Sequence, residues 1–92
     1  MPVRLIFGDS KKGFPGHSVN VSMTGMLVHV QVVSDRGTLV RFEFPDFKGV
    51  GEVVWTQPSD SDTTLSFVGI RFHPLKRRAR KTLEGLLNAV SA

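Results

Sequence analysis

The chain has 92 residues, no cysteine and a formal net charge of +4 at pH 7. This length suits one small domain, and the lack of cysteine excludes disulfides, cysteine-based zinc sites and thiol catalysis. The positive charge is concentrated: five of the 12 Lys and Arg residues lie in residues 76–81, and the rest of the chain has seven basic against eight acidic residues. The composition therefore argues against a uniformly basic surface for nucleic acid.

The N-terminal residues 1–8 carry one charged side chain and a short apolar run. The run is too short for the core of a signal peptide or for a membrane span. We therefore expect a soluble, cytoplasmic protein. Residues 3–7 are rich in branched side chains and are predicted to form the first strand.

Five further runs have the alternation of apolar and polar residues that is typical of half-buried strands. They span residues 17–21, 26–33, 38–44, 47–57 and 63–72. Turn-forming residues separate the runs at intervals of about 8–12 residues, which is the spacing of small sandwiches and barrels. The pattern predicts an all-β fold, a six-stranded antiparallel β-barrel.

The fifth predicted strand contains the only tryptophan and two glycines. Val53 and Trp55 are two residues apart, which predicts that they share a face, with Trp55 in the core or as a lid over one barrel end. Gly49 and Gly51 are expected to mark a bulge or a close approach of another group.

The apolar period changes after the sixth strand, which predicts one amphipathic α-helix over residues 75–90, packed on the barrel. Because the chain has no repeat and no long linker, we predict a single domain over residues 1–92, with the barrel over about residues 3–73, and a monomer. The residues of the helix's apolar face are Ala79, Leu83, Leu86, Leu87 and Val90.

Residues 20–25 join the second and third predicted strands. The side chains of Asn20 and Ser22 can form hydrogen bonds with nearby backbone, and Gly25 can take a positive φ or allow a close approach. The stretch is compatible with a hairpin turn, and also with a rim site at which Asn20 and Ser22 bind a polar ligand.

Three short motifs give the chain a resemblance to the PilZ domain family. The turn fits the family's Asp/Asn-x-Ser-x-x-Gly stretch at Asn20, Ser22 and Gly25. Two later segments look like the family's Gly-x-Val-x-Trp and Gly-Ile/Val-x-Phe strands. These are formed by Gly51, Val53 and Trp55, and by Gly69, Ile70 and Phe72. The resemblance covers about residues 3–90, nearly the whole chain.

The resemblance implies a regulatory module of bacterial cyclic di-GMP signalling, which controls motility, pili, exopolysaccharide or surface behaviour. In the family, the turn motif binds the nucleotide together with an Arg-x-x-x-Arg motif before the first strand. Asn20, Ser22 and Gly25 are therefore the implied ligand-binding residues. The alternative to a core or lid position for Trp55 is a stacking role against a guanine of this ligand. Arginine suits this ligand because its planar fork binds phosphate oxygens and the guanine edge.

No two arginines in these 92 residues are four positions apart, so the family's second motif is absent from them. Each charge-assisted hydrogen bond to phosphate contributes about 1.5–3 kcal/mol. We therefore expect weak or degenerate binding of cyclic di-GMP, and a role as an adaptor that acts through a protein partner.

The basic run at residues 76–81 opens the predicted helix, where the macrodipole disfavours positive charge. It is compatible with a solvated helix face and with an anion-binding patch. The alternative function that follows from such a patch is a small basic barrel that binds RNA or DNA. The residues of the predicted anion patch are Lys76, Arg77, Arg80 and Lys81.

The three histidines have no metal-ligand spacing. The chain also has no Gly-rich phosphate loop before a helix, and no plausible catalytic triad. We therefore predict no metal, no cofactor and no enzymatic activity.

Overall fold

The structure is a computed structural model that describes residues 1–31, 34–58 and 65–91. The strands close into a barrel in which β1 neighbours β2 and β4, and every neighbouring pair is antiparallel. The predicted six-stranded antiparallel barrel with one C-terminal helix is confirmed. The elements are β1 (Pro2–Phe7), β2 (Phe14–Val21), β3 (Gly25–Val30), β4 (Leu39–Glu43), β5 (Lys48–Pro58), β6 (Ser66–Phe72) and α1 (Arg77–Ser91), and the strand order is β1-β2-β3-β6-β5-β4.

Alternation along the strands builds the core inside the barrel. In β4, Val40 and Phe42 are fully buried, while Leu39 and Arg41 are exposed. Burial of side chains of this size stabilises the fold by about 1.5–3 kcal/mol each. The same alternation in β3 and β6 buries Met26, Val28, Val30, Val68 and Ile70.

Helix α1 packs its apolar face on the barrel. Leu83 is fully buried and Ala79 nearly so, in the same cluster as the strand residues. The helix begins at Arg77, two residues later than predicted, because Leu75 packs against the barrel core as part of the link from β6. Within the described part of the chain, no helix is long and apolar enough to cross a membrane.

Three strand ends differ from the prediction by several residues or lie outside what the structure describes. Strand β2 starts at Phe14 rather than at residue 17, because Phe14 and Pro15 pair with Leu5 and Arg4 of β1. The predicted end of the third strand at residues 32–33, and the start of the sixth at residues 63–64, fall outside the described ranges.

A β-bulge in β5 corrects the prediction for Trp55. Val53 pairs with Ile70 but Trp55 pairs with Gly69, so the extra residue Val54 shifts the register by one. Such a shift reverses the face to which the following side chains point. Val53 is therefore buried, whereas Trp55 is 43% exposed on the outside of the barrel. The predicted shared face and the predicted core or lid position of Trp55 are wrong.

The glycines of β5 mark close approaches rather than this bulge. A Cβ on Gly51 would lie 2.5 Å from the carbonyl oxygen of Arg71, and one on Gly49 would lie 2.6 Å from Cζ of Phe42. A side chain at Gly51 would clash with the backbone of β6, and one at Gly49 would clash with the buried ring of Phe42.

Candidate functional site

The turn between β2 and β3 is organised by the side chain of Ser22. Its Oγ lies 3.3 Å from the backbone nitrogens of both Thr24 and Gly25, whose N–H groups donate to it. The backbone N–H of Ser22 donates to the carbonyl oxygen of Gly25 at 2.8 Å. This is the local side-chain-to-backbone pattern by which serine stabilises turns. The hairpin-turn interpretation therefore accounts for Ser22 without a ligand.

Gly25 is required by the packing of the turn on β6. A Cβ at this position would lie 2.3 Å from the carbonyl oxygen of Ile70. The backbone N–H of Phe72 donates to the carbonyl oxygen of Thr24 at 2.8 Å, which ties the turn to the same strand. Gly25 does not have a positive φ, so its role is close approach rather than unusual backbone geometry.

Asn20 differs from Ser22 because its side chain does not stabilise the turn through a hydrogen bond in the described part of the chain. It is exposed, and its side chain forms no hydrogen bond within residues 1–31, 34–58 and 65–91. A second register shift, between Ser18 and Asn20, brings Asn20 opposite Leu27. The amide of Asn20 is therefore free to bind a ligand on the outer surface.

Backbone pairing places Asn20 in one row that crosses four strands of the barrel. The row runs from Asn20 to Leu27, then to Gly69, then to Trp55. We call this the outer row. It joins the polar turn motif to the exposed tryptophan on one continuous surface.

Gly69 makes room for the tryptophan in this row. A Cβ on Gly69 would lie 3.2 Å from Cβ of Trp55 and 3.6 Å from its Cε3. The indole therefore lies partly over the glycine. The sequence favoured a core or lid position for Trp55 over the alternative of a stacking role, and the exposed ring is compatible with that alternative. The available signal for exposure was Gly69 itself, since a glycine within a strand indicates the close approach of another group.

A stacked pair of rings lies in the next row of the same surface. The rings of His29 and Phe67 are 4.7 Å apart between centroids, with an angle of 18° between their planes. These residues pair directly across β3 and β6, two positions along from Leu27 and Gly69. The surface beside the outer row is therefore partly aromatic and suited to contact with a planar base.

On the other side of the outer row, Arg71 forms an ion pair with Glu52. The hydrogen bond from Arg71 and its positive charge hold the pKa of Glu52 below the ordinary value for a glutamate. Arg71 also pairs with Gly25 across β3 and β6, so a cation lies directly beside the turn motif.

A cleft of about 480 Å³ lies between the turn and the first turns of α1. Met23 and Thr24 of the turn, Arg71 and His73 at the end of β6, and Arg80 of α1 all line it. The Nε of Arg80 lies 3.4 Å from Oε1 of Glu84, one turn further along the helix.

The basic residues in α1 and just before it line different surfaces. Arg80 lines the cleft beside the turn, Arg77 and Lys81 line a separate shallow surface with Thr82, and Lys76, which precedes the helix, lies beside the β4–β5 turn. Among the described residues, no carboxylate oxygen comes within 4.0 Å of the side-chain nitrogens of Lys76, Arg77 or Lys81. The predicted anion patch is thus distributed around the helix.

The described residues contain no cluster of three or more His, Asp or Glu side chains arranged to hold a metal ion.

With this geometry in view, comparison with known families gives a direct match. A sequence model of the PilZ domain matches residues 1–89 of the 92-residue chain. The chain belongs to the PilZ domain family, which is the cyclic di-GMP-binding module family, a binding and regulatory family rather than a catalytic one. No curated protein matches the chain.

Proposed function

We propose that this chain is a regulatory module that binds cyclic di-GMP weakly on the outer row and acts through a protein partner. The observation that carries the proposal is the pairing that puts Asn20, which has no internal partner, and the exposed Trp55 in one row. The position of this row beside the turn motif also supports it.

Each residue of the site has a chemical role toward the nucleotide. The amide of Asn20 can both donate to and accept from the edge of a guanine, which presents acceptors and donors in one plane. The ring of Trp55 offers a stacking surface, and stacking of a base on an aromatic side chain contributes about 1–3 kcal/mol. Ser22 and Gly25 keep the turn in the shape that presents Asn20.

The affinity is expected to be modest. The 92 residues contain no arginine pair with the family's spacing, so the bidentate phosphate contacts of that motif are not made by these residues. Losing two charge-assisted contacts of about 1.5–3 kcal/mol each lowers affinity by several orders of magnitude. We therefore expect a dissociation constant weaker than micromolar.

A module of this kind can act on a protein partner, because a ligand bound on its outer surface is presented to that partner. The cations of Lys76, Arg77 and Lys81 lack acidic partners in the described residues, so they are available to an acidic surface. Binding of RNA or DNA is the second candidate. It is less favoured because these cations are spread around the helix rather than along one groove.

Isothermal titration calorimetry of the full 92-residue chain with cyclic di-GMP tests the proposal, with GTP as a control ligand. We expect binding of cyclic di-GMP in the range from micromolar to millimolar and weaker binding of GTP. A sub-micromolar dissociation constant would contradict the expected weakness. Equal binding of the two ligands, or none of either, would contradict the assignment of the ligand.

A further inference from the structure

We propose that Arg71 and Arg80 form a phosphate-binding subsite in the cleft between the β2–β3 turn and α1. The inference rests on the proposed function and assigns the phosphate contacts of the same ligand. It would explain how a chain without the family's arginine pair still holds a dinucleotide. We call this place the arginine cleft; it is lined by Met23, Thr24, Arg71, His73 and Arg80.

The two arginines come from different elements and meet at the turn. Arg71 lies on β6, directly opposite Gly25. Arg80 lies on the first turns of α1 and lines the same cleft, together with Thr24. Two residues of the turn, Met23 and Thr24, and both cations therefore line one cleft of about 480 Å³, which is enough for a phosphate group and its solvent.

Each guanidinium contacts one carboxylate. Glu52 binds Nη2 of Arg71, and Glu84 lies 3.4 Å from Nε of Arg80. The side chains of Arg71 and Arg80 are 66% and 67% exposed, so these surface ion pairs are weak and can rearrange when an anion arrives. A guanidinium has five N–H donors, so one such contact leaves most of its donors available.

The walls of the cleft are fixed relative to each other. The turn is tied to β6 by the hydrogen bond from the N–H of Phe72 to the carbonyl oxygen of Thr24. Helix α1 is anchored by the buried side chains of Ala79 and Leu83. The hydroxyl of Thr24 lies 3.2 Å from Oγ of Ser22 and adds a neutral group that can donate to phosphate.

The distance between the subsite and Asn20 suits one dinucleotide. Arg71 lies two strands across from Asn20 and two residues along from Gly69. With strand spacings near 4.8 Å and a rise near 3.3 Å per residue, the separation between their Cα atoms is roughly 12 Å. A base contacting Asn20 and a phosphate contacting Arg71 can therefore belong to the same ligand.

The test is calorimetric titration of cyclic di-GMP into the full chain, the Asn20→Ala variant and three further variants. Arg80→Ala removes one cation of the cleft. The double variant Arg71→Ala with Glu52→Gln removes the other while keeping the net charge of the protein unchanged. Arg78→Ala is the matched control, because it removes the same charge from the same helix turn but lines surfaces outside the cleft.

We expect Arg80→Ala and the double variant each to weaken binding by about tenfold to a hundredfold, the effect of one charge-assisted contact. Arg78→Ala is expected to stay within about twofold of the unmodified chain, since its exposed side chain lies outside the cleft and an exposed charge with no direct contact to the ligand contributes little. Phosphorus NMR of the ligand adds a direct readout: its resonance should shift on binding to the unmodified chain and shift less with Arg80→Ala. Circular dichroism checks that each variant is folded.

The outcomes separate this inference from the function on which it rests. If the chain binds and Asn20→Ala weakens binding, while Arg80→Ala and the double variant bind normally, the arginine cleft is rejected and the proposed function remains. If Arg78→Ala weakens binding as much as Arg80→Ala, the effect is general charge and the cleft is also rejected. If the unmodified chain does not bind cyclic di-GMP, both the proposed function and the arginine cleft are rejected.

Discussion

Trp55 lies against Gly69, so closely that a Cβ on the glycine would be 3.2 Å from the Cβ of the tryptophan. The contact depends on the bulge at Val54, which turns Trp55 outward while Val53 stays in the core. The contact brings the only tryptophan of the chain into the same row as Asn20.

The fluorescence of Trp55 can report the stacking of a base on its ring. We expect the indole fluorescence to change when cyclic di-GMP binds, because a guanine stacked on the ring alters its environment. Trp55→Ala should weaken binding by about 1–3 kcal/mol, as for other base–aromatic contacts. Leu39→Ala is the control, since Leu39 is another exposed apolar residue but lies outside the outer row. Unchanged affinity in Trp55→Ala would remove the ring from the site.

Asn20 and Ser22 should respond differently to alanine. Asn20→Ala is expected to weaken binding by about 0.5–1.5 kcal/mol while leaving the free energy of unfolding nearly unchanged, because the side chain has no partner in the described residues. Ser22→Ala should lower stability by a similar amount, because the turn loses the acceptor for the N–H groups of Thr24 and Gly25. Calorimetry and chemical denaturation measure the two effects separately. A large loss of stability in Asn20→Ala would contradict its assignment as a ligand-binding residue.

The sequence predicted the fold well because alternation and turn residues carry most of the information for a small barrel. It also placed Asn20, Ser22 and Gly25 at the junction of two strands, which a local motif can specify. The prediction was wrong for Trp55. One extra residue in β5 reverses the face of every later side chain in the strand, and the alternation of apolar and polar residues does not reveal it. The sequence did not predict that Arg71 and Arg80 line the same cleft, because this depends on how α1 packs on the barrel.

Gly25 and Gly85 offer a pair of substitutions with opposite signs. Gly25→Ala would place a Cβ 2.3 Å from a backbone carbonyl oxygen, and we expect it to destabilise the protein by about 1–3 kcal/mol. Gly85 lies in α1 with no atom within 4 Å of an added Cβ, so Gly85→Ala should stabilise by about 1 kcal/mol. Thermal and denaturant unfolding measure both. Equal stability of the two variants would refute the close approach of the turn to β6.

Leu83 tests whether α1 is an integral part of the fold. Leu83→Ala is expected to destabilise by about 2–4 kcal/mol, because the side chain is fully buried and its removal leaves a cavity. Leu39→Ala, at a residue that is 48% exposed, should change the free energy of unfolding by less than about 0.5 kcal/mol. If Leu83→Ala costs no more than Leu39→Ala, the helix is only loosely docked and the arginine cleft lacks a fixed wall.

The most direct test of the central claim is the mapping of chemical-shift changes in the isotope-labelled chain during a titration with cyclic di-GMP. This measurement detects weak binding and reports it residue by residue. We predict that the largest changes occur at Asn20, at the turn, at Gly69 and at the indole N–H of Trp55. Changes confined to the opposite side of the barrel, around Arg4 and Glu43, or no changes at saturating ligand, would contradict it.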